Sequence, residues 1–126
     1  MKILFVEDSE TMQRLYTRVM QAADFTVVLV DDGIKALDAA IAEQPDLILM
    51  DVMMPQMNGL DALDLLKSDP QTKTIPVIMM SAHEDDALLM RAMNAGASRY
   101  VIKSNIEITD LIALINETIS AHPKAA

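Results

Sequence analysis

A chain of 126 residues is sized for one domain with a single sizeable core, and its composition, 52% hydrophobic but 3% aromatic with 11 Met, makes that core aliphatic and adaptable. It has no Cys, which excludes disulfides, thiolate nucleophiles and zinc–thiolate sites, and a net charge of -9, which repels the phosphates of nucleic acid and anionic membrane. The apolar run after Lys2 stops at Glu7, too short for a signal peptide, and no stretch reaches membrane-span length, so the sequence reads as a soluble cytoplasmic protein.

Taken in chain order, short apolar runs alternate with amphipathic segments. The first run, residues 3–6, ends at Glu7-Asp8; Ser9 then caps a helix whose stripe is Met12, Leu15, Tyr16, Val19 and Met20. A second run, residues 26–30, precedes a helix read from Gly33 with Ile34, Leu37 and Ile41 inward. The third, LILM at 47–50, runs directly into Asp51 within the stretch DVMMPQMNG; after Gly59 comes a helix with Leu60, Leu63 and Leu66 inward. Residues 77–80 lead to Ser81-Ala82, then to a helix from Asp85 to Asn94 with Gly96 placed to end it. A fifth run, 100–102, meets Lys103, and the last helix carries Ile108, Leu111, Ile112, Ile115 and Ile119. Pro45, Pro70 and Pro76 fall in connections, and residues 122–126 form a flexible tail after a domain spanning 1–121. Apolar runs without polar alternation suit strands buried on both faces, so the fold class is α/β: five β-α units, a doubly wound parallel sheet and helices on both faces.

In such sheets chemistry gathers beyond the carboxyl ends of the strands. Glu7, Asp8, Asp51, Ser81 and Lys103 all fall there. Three carboxylates together repel one another, and a hard divalent cation such as Mg²⁺, with oxygen ligands, relieves that repulsion. Asp51 is then a nucleophile able to take a phosphoryl group as an acyl phosphate. Lys103 can pair with phosphoryl oxygens, Ser81 can donate a hydrogen bond, and the Met53 backbone carbonyl can complete the metal site.

These residues carry a resemblance. Glu7-Asp8, Asp51 in DVMMPQMNG, Ser81-Ala82, Gly96-Ala97, Tyr100 and Lys103, in that order, make the whole chain resemble the receiver domain of two-component response regulators, of CheY-like single-domain form. The resemblance implies a flavodoxin-like (βα)5 sheet of order 2-1-3-4-5. It implies that Asp51 accepts phosphate from a histidine kinase or histidine phosphotransfer protein, with Mg²⁺ held by Glu7, Asp8 and Asp51 and the phosphoryl group also met by the Ala82 backbone. It further implies that Ser81 and Tyr100 form a switch pair and that Met53 and His83 flank the path of the hydrolytic water and tune phosphoryl lifetime. Two departures stand out. Ser104 follows Lys103 where the family usually has a proline joined by a cis bond, and the acidic pair is Glu-Asp rather than Asp-Asp.

Each feature has a plainer reading: Asp51 as turn chemistry, Glu7-Asp8 as helix-start acids, Lys103 as a solvated lysine, Tyr100 as a half-buried tyrosine, His83 as an exposed loop residue. The helix from Asp85 to Asn94 is apolar around most of its circumference, which predicts a partner face made of this helix, Tyr100 and the last helix. The expected function is a phosphorylation-activated switch, not an enzyme acting on other substrates. The alternatives are the N-terminal receiver of a longer regulator with a DNA-binding or catalytic output, a Mg²⁺-dependent phosphohydrolase (disfavoured because Met53 stands where a second acid would be needed), and a flavodoxin-like cofactor binder.

Overall fold

The computed structural model describes residues 1–54 and 56–122; Pro55 of the DVMMPQMNG stretch and tail residues 123–126 lie outside the described residues. The elements are β1 (Lys2–Val6), α1 (Glu10–Ala22), β2 (Thr26–Val30), α2 (Gly33–Glu43), β3 (Leu47–Asp51), α3 (Gly59–Ser68), β4 (Val77–Ser81), α4 (Asp86–Asn94), β5 (Arg99–Ile102), a single 3₁₀ turn (Lys103–Asn105) and α5 (Ile108–Ala121). All strand pairings are parallel, in the order β2-β1-β3-β4-β5. This is the flavodoxin-like arrangement expected from the resemblance.

Period-two alternation divides the central strands between two cores. Leu4, Val6, Ile48, Met50, Val77 and Met79 point to one face, packed with Ala36, Leu63, Leu66 and Ala92 of α2, α3 and α4. Ile3, Phe5, Leu47, Leu49, Ile78 and Met80 point to the other, against Tyr16, Met20, Leu111 and Ile115 of α1 and α5. The Phe5 and Tyr16 rings meet edge to face, 5.9 Å between centroids.

Helix ends follow their predicted signals. Ser9 Oγ accepts from the Met12 N–H. At the end of α4, Gly96 has φ 104°, its N–H donates to Met93 O, and the Ala97 N–H donates to Ala92 O. That is the paired bonding of a Schellman motif. His122, assigned to the tail from sequence, closes α5: its N–H donates to Ile119 O and its Nδ1 lies 2.9 Å from Thr118 O.

Three expectations about packing are corrected. Residues 26–30 are not buried on both faces, because β2 pairs with β1 alone and forms a sheet edge on which Leu29 is 40% exposed. On α2, Ile34 points outward while Gly33, Ala36 and Ala40 face inward. Small residues are needed there: a Cβ on Gly33 would lie 2.6 Å from Met57 O. On α1, Leu15 is likewise exposed, and Tyr16 and Met20 do the burying.

Candidate functional site

Strand register brings the site together. Val6 pairs with Met50, so Glu7 follows beside Asp51; Ser81 pairs with Ile102, so Lys103 lies one residue beyond. β1 has β2 on one side and β3 on the other, so Glu7-Asp8 and Asp51 flank the point where strand order reverses.

Asp51 is 6% exposed and Glu7 fully buried, while Asp8 is exposed at the rim. One carboxylate oxygen from each lies within 4.8 Å of the others. Lys103 Nζ reaches across to both buried acids, 2.9 Å from Glu7 Oε1 and 3.2 Å from Asp51 Oδ2. The Ser9 N–H donates to the second Glu7 oxygen and the Met53 N–H to Asp51 Oδ1, at 3.2 and 3.4 Å. Burial opposes the charge on Lys103, but its hydrogen bond to Glu7 and the charges of Asp51 and Glu7 outweigh that and hold its pKa above 10.5. Asp8 shows the opposite stress: desolvation, then its hydrogen bond with Glu7, raises its pKa above 3.8. Three carboxylates facing one ammonium remain short of positive charge. All the donors are hard oxygens, so the cluster fits a divalent cation.

The other predicted residues surround this cluster. Ser81 is buried, and its hydroxyl bonds to His83: it donates to His83 O at 2.9 Å and accepts from the His83 N–H at 3.1 Å. Ala82 and His83 are exposed in the turn after β4, and Met53 is exposed after β3. The Tyr100 hydroxyl is buried and has no hydrogen-bond partner among the described residues. At Lys103-Ser104 the chain takes the 3₁₀ turn, and the described residues contain no cis peptide bond.

Two supporting residues carried no site signal in the sequence. Gln13 Nε2 donates to Glu7 O at 2.7 Å, fixing the turn that presents the acidic pair. Gly59, read only as a helix start, lies where a Cβ would come within 2.0 Å of Asp51 O, and its N–H donates to Val52 O. Side-chain absence at Gly59 lets α3 close directly over the Asp51 backbone. Its target emerges only from the fold.

α4 is thinly anchored. Ala92 is its one buried residue among those described, and Met90 and Met93 are 60% and 44% exposed. Arg91 ties it to α3, 2.9 Å from Asp61 and 3.6 Å from Asp64.

An open parallel α/β sheet thus carries a buried acid, an acidic cluster that fits a cation and a lysine at its switch point. The pattern of the response regulator receiver domain matches residues 3–116, and the chain belongs to that family. It is 32% identical over 102 residues to the DNA-binding response regulator MtrA of Mycobacterium tuberculosis, covering 81% of this chain and 43% of MtrA. The chain thus spans less than half the length of such relatives. The signal receiver domain of a signal transduction histidine kinase from Syntrophus aciditrophicus superposes with TM-score 0.89 at 28% identity, covering 99% of this chain and 94% of that one. The receiver domain of sensor histidine kinase PA1611 from Pseudomonas aeruginosa, solved with a magnesium ion coordinated in its active-site cleft, gives TM-score 0.86 at 26% identity, covering 94% and 97%. The domain is a signalling switch of the two-component class. Among the described residues no helix is long and apolar enough to cross a membrane.

Proposed function

We propose that Asp51 is the phosphoacceptor of this receiver and that its modification changes the surface offered by α4. The observation that carries the reading is the Lys103 bridge, which pairs Asp51 with a cation at 3.2 Å while the preceding four strand residues are fully buried and hold it still. An Asp51 carboxylate oxygen would attack the phosphorus of a phosphohistidine on a histidine kinase or phosphotransfer protein, and the bond from phosphorus to the donor nitrogen would break. Glu7, Asp8, Asp51 and the Met53 carbonyl would hold Mg²⁺, which supplies charge neutralisation for the incoming phosphoryl oxygens. Lys103 would shift from its two carboxylates toward the new phosphoryl group, with the Ala82 backbone on the other side. Met53 and His83, both exposed, would set how readily water reaches the acyl phosphate.

Ser81 would leave His83 for the phosphoryl group, with Tyr100 as the inward partner of that movement. Release of the turn at His83 would then alter α4, and a protein target would read α4, Tyr100 and α5. Phosphorylation thus shifts a two-state equilibrium rather than turning over an external substrate. A second reading, the N-terminal receiver of a longer regulator, is favoured by the partial coverage of MtrA. In either setting we take residues 1–121 as the receiver, with His122 closing its last helix.

Amide exchange before and after loading with acetyl phosphate and Mg²⁺ tests the switch. Changed protection at Leu88, Met93 and Tyr100 is expected; identical exchange there would remove α4 from the output.

A further inference from the structure

The outer side of β2 is an unpaired sheet edge beside a groove, away from the phosphoacceptor's output face. The Thr26 N–H donates to Met1 O and the Glu7 N–H to Val30 O, at 2.9 and 3.1 Å. Residues of a parallel strand alternate in the neighbour they bond, so Thr26, Val28 and Val30 serve β1. The N–H and C=O groups of Val27 and Leu29 therefore face outward, where no strand pairs with them among the described residues. The strand TVVLV carries no charge, proline or glycine, the usual means of blunting an edge.

Two hollows flank Leu29 along the seam between α1 and β2. One, about 370 Å³, reaches toward Asp8, Glu10, Asp31 and Lys35; the other, about 320 Å³, reaches toward Arg14, Thr17 and Arg18. Gln13 and Leu29 line both, so they form one groove. Its ends differ in net charge: the end of β2 has three acids against Lys35, which pairs with Asp31 at 2.8 Å, and the start has Arg14, 3.8 Å from Glu10, and Arg18. Arg18 has no ion pair among the described residues, and Thr17 Oγ1 is a buried polar atom without a partner there. An apolar middle, opposite net charges at the ends and free backbone groups are together what an extended peptide satisfies.

We propose that the β2 edge binds an extended segment of a partner protein as a sixth strand, antiparallel to β2. A basic side chain of the segment lies toward Asp31, an apolar one beside Leu29, and an acidic one toward Arg14 and Arg18. Antiparallel addition places the basic residue first in that segment. Charge disfavours a second copy as occupant: antiparallel self-pairing brings Asp24 of each chain toward Asp31 and Asp32 of the other.

The test is a ¹⁵N-amide titration of the full chain with two blocked synthetic peptides, Lys-Thr-Val-Thr-Glu and its reverse, Glu-Thr-Val-Thr-Lys, in which the charged ends and the central Val share one face. The first is expected to shift the Val27 and Leu29 amides saturably and to bind more tightly than the second. Leu29→Lys should weaken binding about tenfold. Val27→Pro, which removes an outward N–H but no ladder bond, should do the same. Acetyl-phosphate labelling should be unchanged in both variants, showing an intact fold. Silent Val27 and Leu29 amides, equal binding of both peptides, or full binding by folded Leu29→Lys would each overturn the proposal. So would concentration-dependent shifts of these amides without peptide, which would assign the edge to a second copy.

Discussion

The Ser81 hydroxyl is committed to His83 at both ends, donating to its carbonyl at 2.9 Å and accepting from its N–H at 3.1 Å. Each such bond contributes about 1 kcal/mol net. Moving Ser81 to a phosphoryl group therefore frees the turn leading into α4. Ser81→Ala should be labelled by acetyl phosphate yet show little change in α4 amide exchange on labelling. A wild-type α4 response in that variant would mean that the signal leaves Asp51 by another route.

Lys103 is the one cation within bonding distance of Glu7 and Asp51 among the described residues. Removing one partner of a buried ion pair typically costs about 3–5 kcal/mol, because the remaining charge is left unpaired. Lys103→Met should therefore lower Tm markedly in EDTA, with part of the loss restored by millimolar Mg²⁺. A Tm equal to wild type in EDTA would show that the lysine carries no share of the acidic cluster's neutralisation.

Asp8 gives the site a pH dependence with a definite sign. Desolvation and then its hydrogen bond with Glu7 raise its folded pKa above 3.8, so just above that value the folded chain binds more protons than the unfolded one. The Asp8 contribution to stability is thus largest at low pH and is lost as pH rises through its folded pKa. Asp8→Asn should flatten this slope, raise Tm at neutral pH without metal and weaken Mg²⁺ binding. Denaturation curves with and without Mg²⁺ across the acidic range check all three, and a lower neutral-pH Tm in the variant would reverse the assignment.

At Gly59 an added Cβ would meet Asp51 O at 2.0 Å, a backbone atom with little freedom to yield. Gly59→Ala should cost about 1–3 kcal/mol through forced movement of α3 or Asp51. Phosphoryl labelling should fall as well. Gly33→Ala, which meets Met57 O instead, should destabilise while labelling persists. Equal labelling of both variants by mass spectrometry would show that the α3 start does not position Asp51.

Much of this was legible because local signals agreed with the global fold. The continuous apolar runs, the Ser9 cap, the Gly96 stop and the acids at strand ends need no tertiary knowledge. The order of strands came from the resemblance, since periodicity does not say which strands are neighbours. Residues 26–30 read as interior because an apolar run looks alike at the edge and centre of a sheet. On α2, Ile34 attracted the reading by its size, whereas the α2–α3 approach demands Gly33 and Ala36. The Ser81 hydroxyl's orientation and the Lys103 reach to Glu7 depend on rotamer and register, which no local pattern encodes.

The most direct test of the central claim is intact-mass spectrometry after incubation with acetyl phosphate, with and without Mg²⁺, on wild type and Asp51→Asn. A single phosphoryl adduct that requires Mg²⁺ and is absent from Asp51→Asn is the predicted result. An adduct that persists in folded Asp51→Asn, or forms equally without Mg²⁺, would contradict Asp51 as the metal-dependent phosphoacceptor.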